Sequence, residues 1–166
     1  MSPEKMAREC ADKLGEIFGE VEVEGSTIYY KSHLLVSRGW ILGGDNIPPE
    51  PALFVETINE RKIIISLDGE FENSDIQLLT YAIASIVAWE VIGREGDATI
   101  FSDGSRVRIK VGNSELSWIA LEIPYACPDK VEVRLYKEGG SEVETVGEFA
   151  PTDFETLRKI VALYLL

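Results

Sequence analysis

Among 166 residues there is one histidine, His33, and there are two cysteines, Cys10 and Cys127. A nucleophilic triad needs a histidine beside a serine or cysteine, and a single histidine at a polar-to-apolar junction reads as a strand-edge residue rather than a base. Zinc is excluded on similar grounds, because Cys10, His33 and Cys127 have no close ligand spacing and Cys10 falls on the apolar arc of the first helix. No metal and no cofactor is expected. Cysteines in unlike segments of an acidic chain give no reason for a disulfide, and the charged opening Met1-Ser2-Pro3-Glu4-Lys5-Met6 has no apolar signal region. A reducing cytoplasm is the expected compartment.

Basic residues are scarce as well: 16 Lys and Arg face 29 Asp and Glu, for a net charge of −13. That balance argues against nucleic acid and against an anionic membrane surface, both of which demand clustered cations. Phosphate-cradling motifs are absent, since Gly43-Gly44-Asp45-Asn46 is followed by no lysine and has no fingerprint spacing. The one long apolar run, residues 76–92, is broken by Gln77, Thr80, Ser85 and Glu90, so a buried core helix is expected rather than a bilayer span. Gln77 is the sole glutamine and Glu outnumbers Asp, a bias shared with proteins from hot environments.

What is present is a stretch used twice. Gly69-Glu70-Phe71-Glu72-Asn73-Ser74-Asp75-Ile76 and Gly147-Glu148-Phe149-Ala150-Pro151-Thr152-Asp153-Phe154 each lead from a β-like segment into a helix. Ser74 and Thr152 stand where an N-cap belongs, and Gln77 and Glu155, three residues on, complete capping boxes. The same offset pairs Leu79 with Leu157, Val55 with Val133 and Trp40-Ile41 with Trp118-Ile119. An internal duplication is expected, with related halves at about 20–92 and 97–166 preceded by a helix over 3–18.

Period and turn chemistry supply the rest. Glu20 to Glu24 and Thr27 to Lys31 alternate about Gly25-Ser26, a hairpin signal. Short apolar runs at 34–36 and 40–42 flank Gly39, residues 43–51 form an irregular loop rich in Gly and Pro, and a second hairpin is expected about Asn59-Glu60. Five strands follow the central helix, with turns too short for parallel crossovers. A last helix over 153–166 carries Phe154, Leu157, Ile160, Val161 and Tyr164 on one arc. The expected fold is therefore α+β and two-layered: antiparallel sheets packed on helices in the order α, four or five β, α, five β, α. At the level of fold this order resembles the small acidic chaperones of secretion systems. It also resembles saddle-shaped duplicated folds that bind DNA, although the charge opposes that second likeness.

Candidate binding residues fall in three groups. Trp40, Asp45, Asn46 and Glu50 surround the 43–51 loop, the rim of a pocket between the central helix and a sheet if a small molecule or substrate is bound. Arg106 and Arg108, with Lys110 and Arg134, form a basic stripe on an acidic chain, suited to an acidic partner segment or to plain cross-strand pairing with Glu115 or Glu132. Trp118, with Trp40, Trp89, Phe54 and Tyr125, supplies aromatics for a core or a pocket. In Leu116-Ser117-Trp118-Ile119-Ala120-Leu121-Glu122-Ile123 both faces are apolar, so each must be covered, one of them by the other half of the chain or by a second copy. The expected function is a non-enzymatic binding module that engages a protein partner, or itself as a homodimer, through a solvated sheet face. The alternative is a small-molecule-binding protein or enzyme using the 43–51 pocket.

Overall fold

The first helix, α1 (Pro3–Phe18), buries Met6, Ala7, Cys10, Ala11 and Leu14 at the spacing of one helical face. It stops where Gly19 takes a left-handed φ of 67° and its N–H bonds back to Gly15 O at 3.0 Å. A computed structural model describes residues 3–31, 33–46, 50–56, 62–66, 71–93, 98–112, 117–137 and 141–165 of the chain. Among these described residues the fold is α+β, with three helices and two antiparallel five-stranded sheets. Two compact units divide it, Met1–Glu56 with Glu60–Ala82, and Ile83–Leu166 with Thr57–Asn59.

In the first unit the strands β1 (Val21–Glu24), β2 (Thr27–Tyr30), β3 (His33–Ile41), β4 (Glu50–Glu56) and β5 (Lys62–Ser66) pair in chain order. α1 lies against β1 to β3, and Phe18 meets Tyr30 edge-on at 6.5 Å. The two apolar runs about Gly39 are parts of one nine-residue β3. Gly39 pairs with Ala52 inside an unbroken register from Val36↔Val55 to Ile41↔Glu50, so the glycine is carried by its neighbours' ladder. Among the described residues Pro51 has no partner on β5, whose pairing with β4 begins at Ala52. The hairpin turn at Asn59-Glu60 lies outside the described residues.

The central helix, α2 (Phe71–Ile92), runs through both units. Every side chain from Thr80 to Ala88 is buried. Thr80 is accommodated because its hydroxyl donates to Ile76 O at 2.6 Å, inside its own helix. Residues Asp75–Ile92 are long and apolar enough to cross a membrane, a test that core helices also pass, and 61% of that window is buried within the protein.

The second unit continues with β6 (Ala98–Ser102), β7 (Arg106–Val111), β8 (Ser117–Pro124), β9 (Val131–Lys137) and β10 (Ser141–Phe149), again a meander in chain order. One face carries Val107, Ile109, Val111, Ile119, Leu121, Ile123, Val131 and Val133, all buried. In β10 the register slips twice, and at Gly147 a Cβ would press on the Phe149 ring at 3.2 Å. The last helix, α3 (Phe154–Leu165), buries Leu157 and Val161 and packs on β8. Its Arg158 donates through Nε to Glu90 O at 2.7 Å and through Nη2 to Glu90 Oε2 at 3.1 Å, closing the carbonyl end of α2.

The capping assignments shift. α2 begins at Phe71, which places Ser74 inside the helix rather than before it. At α3 the cap is Asp153, not Thr152: Asp153 Oδ1 accepts the Thr156 N–H at 3.4 Å and Asp153 O takes the first helical bond from Leu157. Asp wins because a carboxylate bonds the amide and also meets the positive end of the helix dipole. Asp153→Ala is expected to cost about 1 kcal/mol in urea denaturation, while Thr152→Ala stays within about 0.5 kcal/mol.

Candidate functional site

The outer face of the second sheet is built by register. Lys110 stands opposite Ala120 and Ala120 opposite Arg134; Arg108 stands opposite Glu122 and Glu122 opposite Glu132; Trp118 stands opposite Tyr136. Alternation along β7, β8 and β9 therefore puts four cations, two carboxylates and two aromatic rings on one surface, back to back with the apolar core face.

Its centre is Glu122, whose side chain is 0% exposed. Two glutamates directly opposite across strands repel, and Glu122↔Glu132 is such a pair. Arg106 and Arg134 resolve it by bridging both carboxylates. Arg134 Nε lies 3.1 Å from Glu122 Oε2 and its Nη2 2.8 Å from Glu132 Oε2, while Arg106 Nη1 lies 3.6 and 3.4 Å from the same two oxygens. Arg108 Nε closes on Glu122 Oε1 at 2.6 Å, off the hydrogen-bonding line, and its Nη2 reaches Asp103 Oδ2 at 2.9 Å. The last Glu122 partner is neutral: Tyr136 Oη donates to Oε1 at 2.9 Å.

The aromatic pair holds Arg108 from the side. Trp118 and Tyr136 stack with centroids 4.2 Å apart and planes 9° from parallel. Lys110 Nζ sits 4.9 Å from the Trp118 ring and the Arg108 guanidinium 5.3 Å from the Tyr136 ring, so each ring of the stack meets a cation. The arginine side chains remain 22–24% exposed, enough to offer outward N–H groups while being held in place.

Burial and the bond to Glu122 push the Tyr136 phenol up to about 12, with the carboxylate's charge adding to both and the Arg108 and Arg134 charges opposing. The folded state therefore favours the neutral phenol. This contribution to stability is complete below pH 10, the ordinary value, and is lost as the pH rises through 12. In a phenolate absorbance titration Tyr136→Phe should remove one phenol that ionises late, at about 12.

Of the residues singled out from sequence, the structure brings together Arg106, Arg108 and Trp118. Trp40 and Glu50 lie in β3 and β4 of the first unit, paired with Pro51 and Ile41, their side chains outside the description. Asp45 and Asn46 are exposed in the turn between those strands, Asn46 at a φ of 69°. Of the basic stripe, Arg106, Arg108 and Arg134 pair with Glu122, Asp103 and Glu132, while Glu115 lies outside the described residues. Trp118 does not share a pocket with Tyr125: its ring rests on Tyr136, while Tyr125 Oη meets Ser102 Oγ at 2.8 Å.

Glu122 and Tyr136 were missed. The signal was in the parity of β8, because Glu122 follows Trp118 and Ala120 at steps of two and must share their face. The thiols do not contribute. Burial pushes Cys10 up to about 12, and Cys127, whose Sγ donates to Asp129 Oδ1 at 2.8 Å, is raised by that bond. No family model, no curated protein and no solved structure matches the chain.

Proposed function

We propose that the protein is a non-enzymatic docking module that binds an acidic segment of a protein partner on the outer face of its second sheet. One observation carries this reading: on β7, β8 and β9 the outer face holds four cations, Arg106, Arg108, Lys110 and Arg134, against two carboxylates, Glu122 and Glu132, in a chain whose net charge is −13, and the further acids Glu142 and Glu148 stand at the β10 rim opposite Tyr136 and Glu132. Arginine, tryptophan and tyrosine are the residues enriched in interface centres. Here they are already fixed by stacking and ion pairs, so little side-chain entropy remains to be lost when a partner's carboxylates meet the outward N–H groups. The two free thiols, Cys10 and Cys127, suit work in a reducing cytoplasm.

Selection from a displayed peptide library tests the reading. The wild-type protein is expected to enrich acidic sequences, and Lys110→Glu should weaken the best of them at least tenfold by fluorescence anisotropy, with steep salt dependence. Enrichment of basic or uncharged sequences, or binding indifferent to Lys110→Glu, would overturn it.

A further inference from the structure

Four strands end the two sheets: β1, β5, β6 and β10. Natural sheets guard such edges with charges, bulges or very short strands, because an unpaired row of N–H and C=O groups recruits another strand. β1 has four residues and alternates Glu22 and Glu24 with valine. β5 opens with Lys62. β10 carries Glu142, Glu144 and Glu148 and has two register shifts. β6, Ala-Thr-Ile-Phe-Ser, has no charge, no bulge against β7 and three β-favouring residues.

The phase of its backbone follows from one bond. Asp103 N donates to Arg106 O at 3.1 Å, so 103/106 is a hydrogen-bonded pair. By alternation Phe101/Arg108 and Thr99/Lys110 are the next such pairs. Ala98, Ile100 and Ser102 then direct their backbone groups away from β7, and among the described residues no strand receives them. These three positions are symmetric about Ile100. Two antiparallel copies of β6 related by a two-fold axis at Ile100 match Ile100 with itself and Ala98 with Ser102, and every outward group in the strand finds a partner. Thr99 falls beside Phe101 of the other copy on the outer face.

We infer that β6 is a self-recognition edge, through which a second copy of this chain adds its own β6 and joins two five-stranded sheets into one. The two-fold match of the outward groups about Ile100 selects the occupant. A chain of −13 repels its own copies, and contact is less opposed at a strand that itself carries no charge, with Asp103 after it held by Arg108 at 2.9 Å and Asp97 before it in sequence. The basis of the inference is separate from the docking proposal, which concerns side chains on the sheet face rather than backbone at its rim. It also moves self-association away from the Trp118 strand, whose second face is covered by its neighbours Lys110 and Tyr136.

The test combines mass with amide exchange on the full chain. Light scattering coupled to size exclusion should show the mass rising from 18.5 kDa toward twice that value with concentration, more readily at moderate salt than at low salt. The Ile100 amide should become protected along with the mass, whereas the Thr99 amide, bonded to β7, should be protected throughout. Ala98→Pro, which removes an outward N–H at the first position of the strand, and Thr99→Lys, which charges an exposed side chain, should each raise the dimerisation midpoint at least tenfold with the circular dichroism spectrum unchanged. Thr99→Lys stands alone if the proline variant fails to fold. A mass fixed at that of one chain, protection of Ile100 at all concentrations, or a dimer unaffected by either variant would overturn the inference.

Discussion

Glu122→Ala is expected to lower the unfolding free energy by about 3–5 kcal/mol, the cost of removing one member of a buried ionic set and leaving the others uncompensated. Three guanidinium groups, those of Arg106, Arg108 and Arg134, converge on this carboxylate. With it gone they repel one another, and the Tyr136 hydroxyl loses its acceptor in a side chain only 4% exposed. The effect should be coupled rather than additive. Arg108→Ala in the Glu122→Ala background should cost less than Arg108→Ala alone, because it relieves part of the excess positive charge. Urea denaturation of the two single variants and the double variant gives the cycle. A Glu122→Ala cost below about 1 kcal/mol, in the range of surface pairs, would show that the cluster holds nothing in place. If the variant stays folded, its loosened arginines should also weaken acidic peptides, since the docking proposal relies on their being fixed beforehand.

Leu121→Ala, one residue earlier on the same strand, should cost about 2–5 kcal/mol for a wholly different reason. Leu121 is 0% exposed and points to the core face, between Ile109 on β7 and Val133 on β9 in the strand register. Truncation removes buried methyl groups and leaves a cavity that flanking strands fixed by their ladders cannot collapse to fill. The two variants should part company in salt. Raising ionic strength screens charge and should change the Glu122→Ala cost, whereas the Leu121→Ala cost should be insensitive to moderate salt, since dispersion and burial carry it. Thermal and urea unfolding at two salt concentrations reads both. A Leu121→Ala cost under about 1 kcal/mol would mean that the core face is not close-packed at β8.

The outer site was half legible. Arg106, Arg108 and Lys110 declared themselves by alternation within a single strand, and local period is information that sequence carries directly. Their partners were not legible, because the choice among Glu115, Glu122 and Glu132 depends on strand register. A slip of one residue exchanges one face of a strand for the other. Trp118 was visible as an aromatic on an apolar strand, but its stacking on Tyr136 required β8 and β9 to be aligned at Trp118↔Tyr136.

Cap positions failed at the same level. Ser74 and Thr152 carried the right side chains for capping, yet α2 begins three residues before Ser74 and α3 is capped by Asp153. Several neighbouring residues can each bond a first-turn amide, and tertiary packing decides which of them stands at the boundary. Hydropathy period and turn residues thus determined three helices, antiparallel sheets between them in sequence and the faces of α1 and β7, because those depend on neighbours along the chain. Only the tertiary structure decided that β3 is one strand, that Glu122 is the buried centre of an arginine cluster and that β6 is a sheet edge. Each of these turns on which strands lie side by side and in what register, a choice made by burial across the whole sheet.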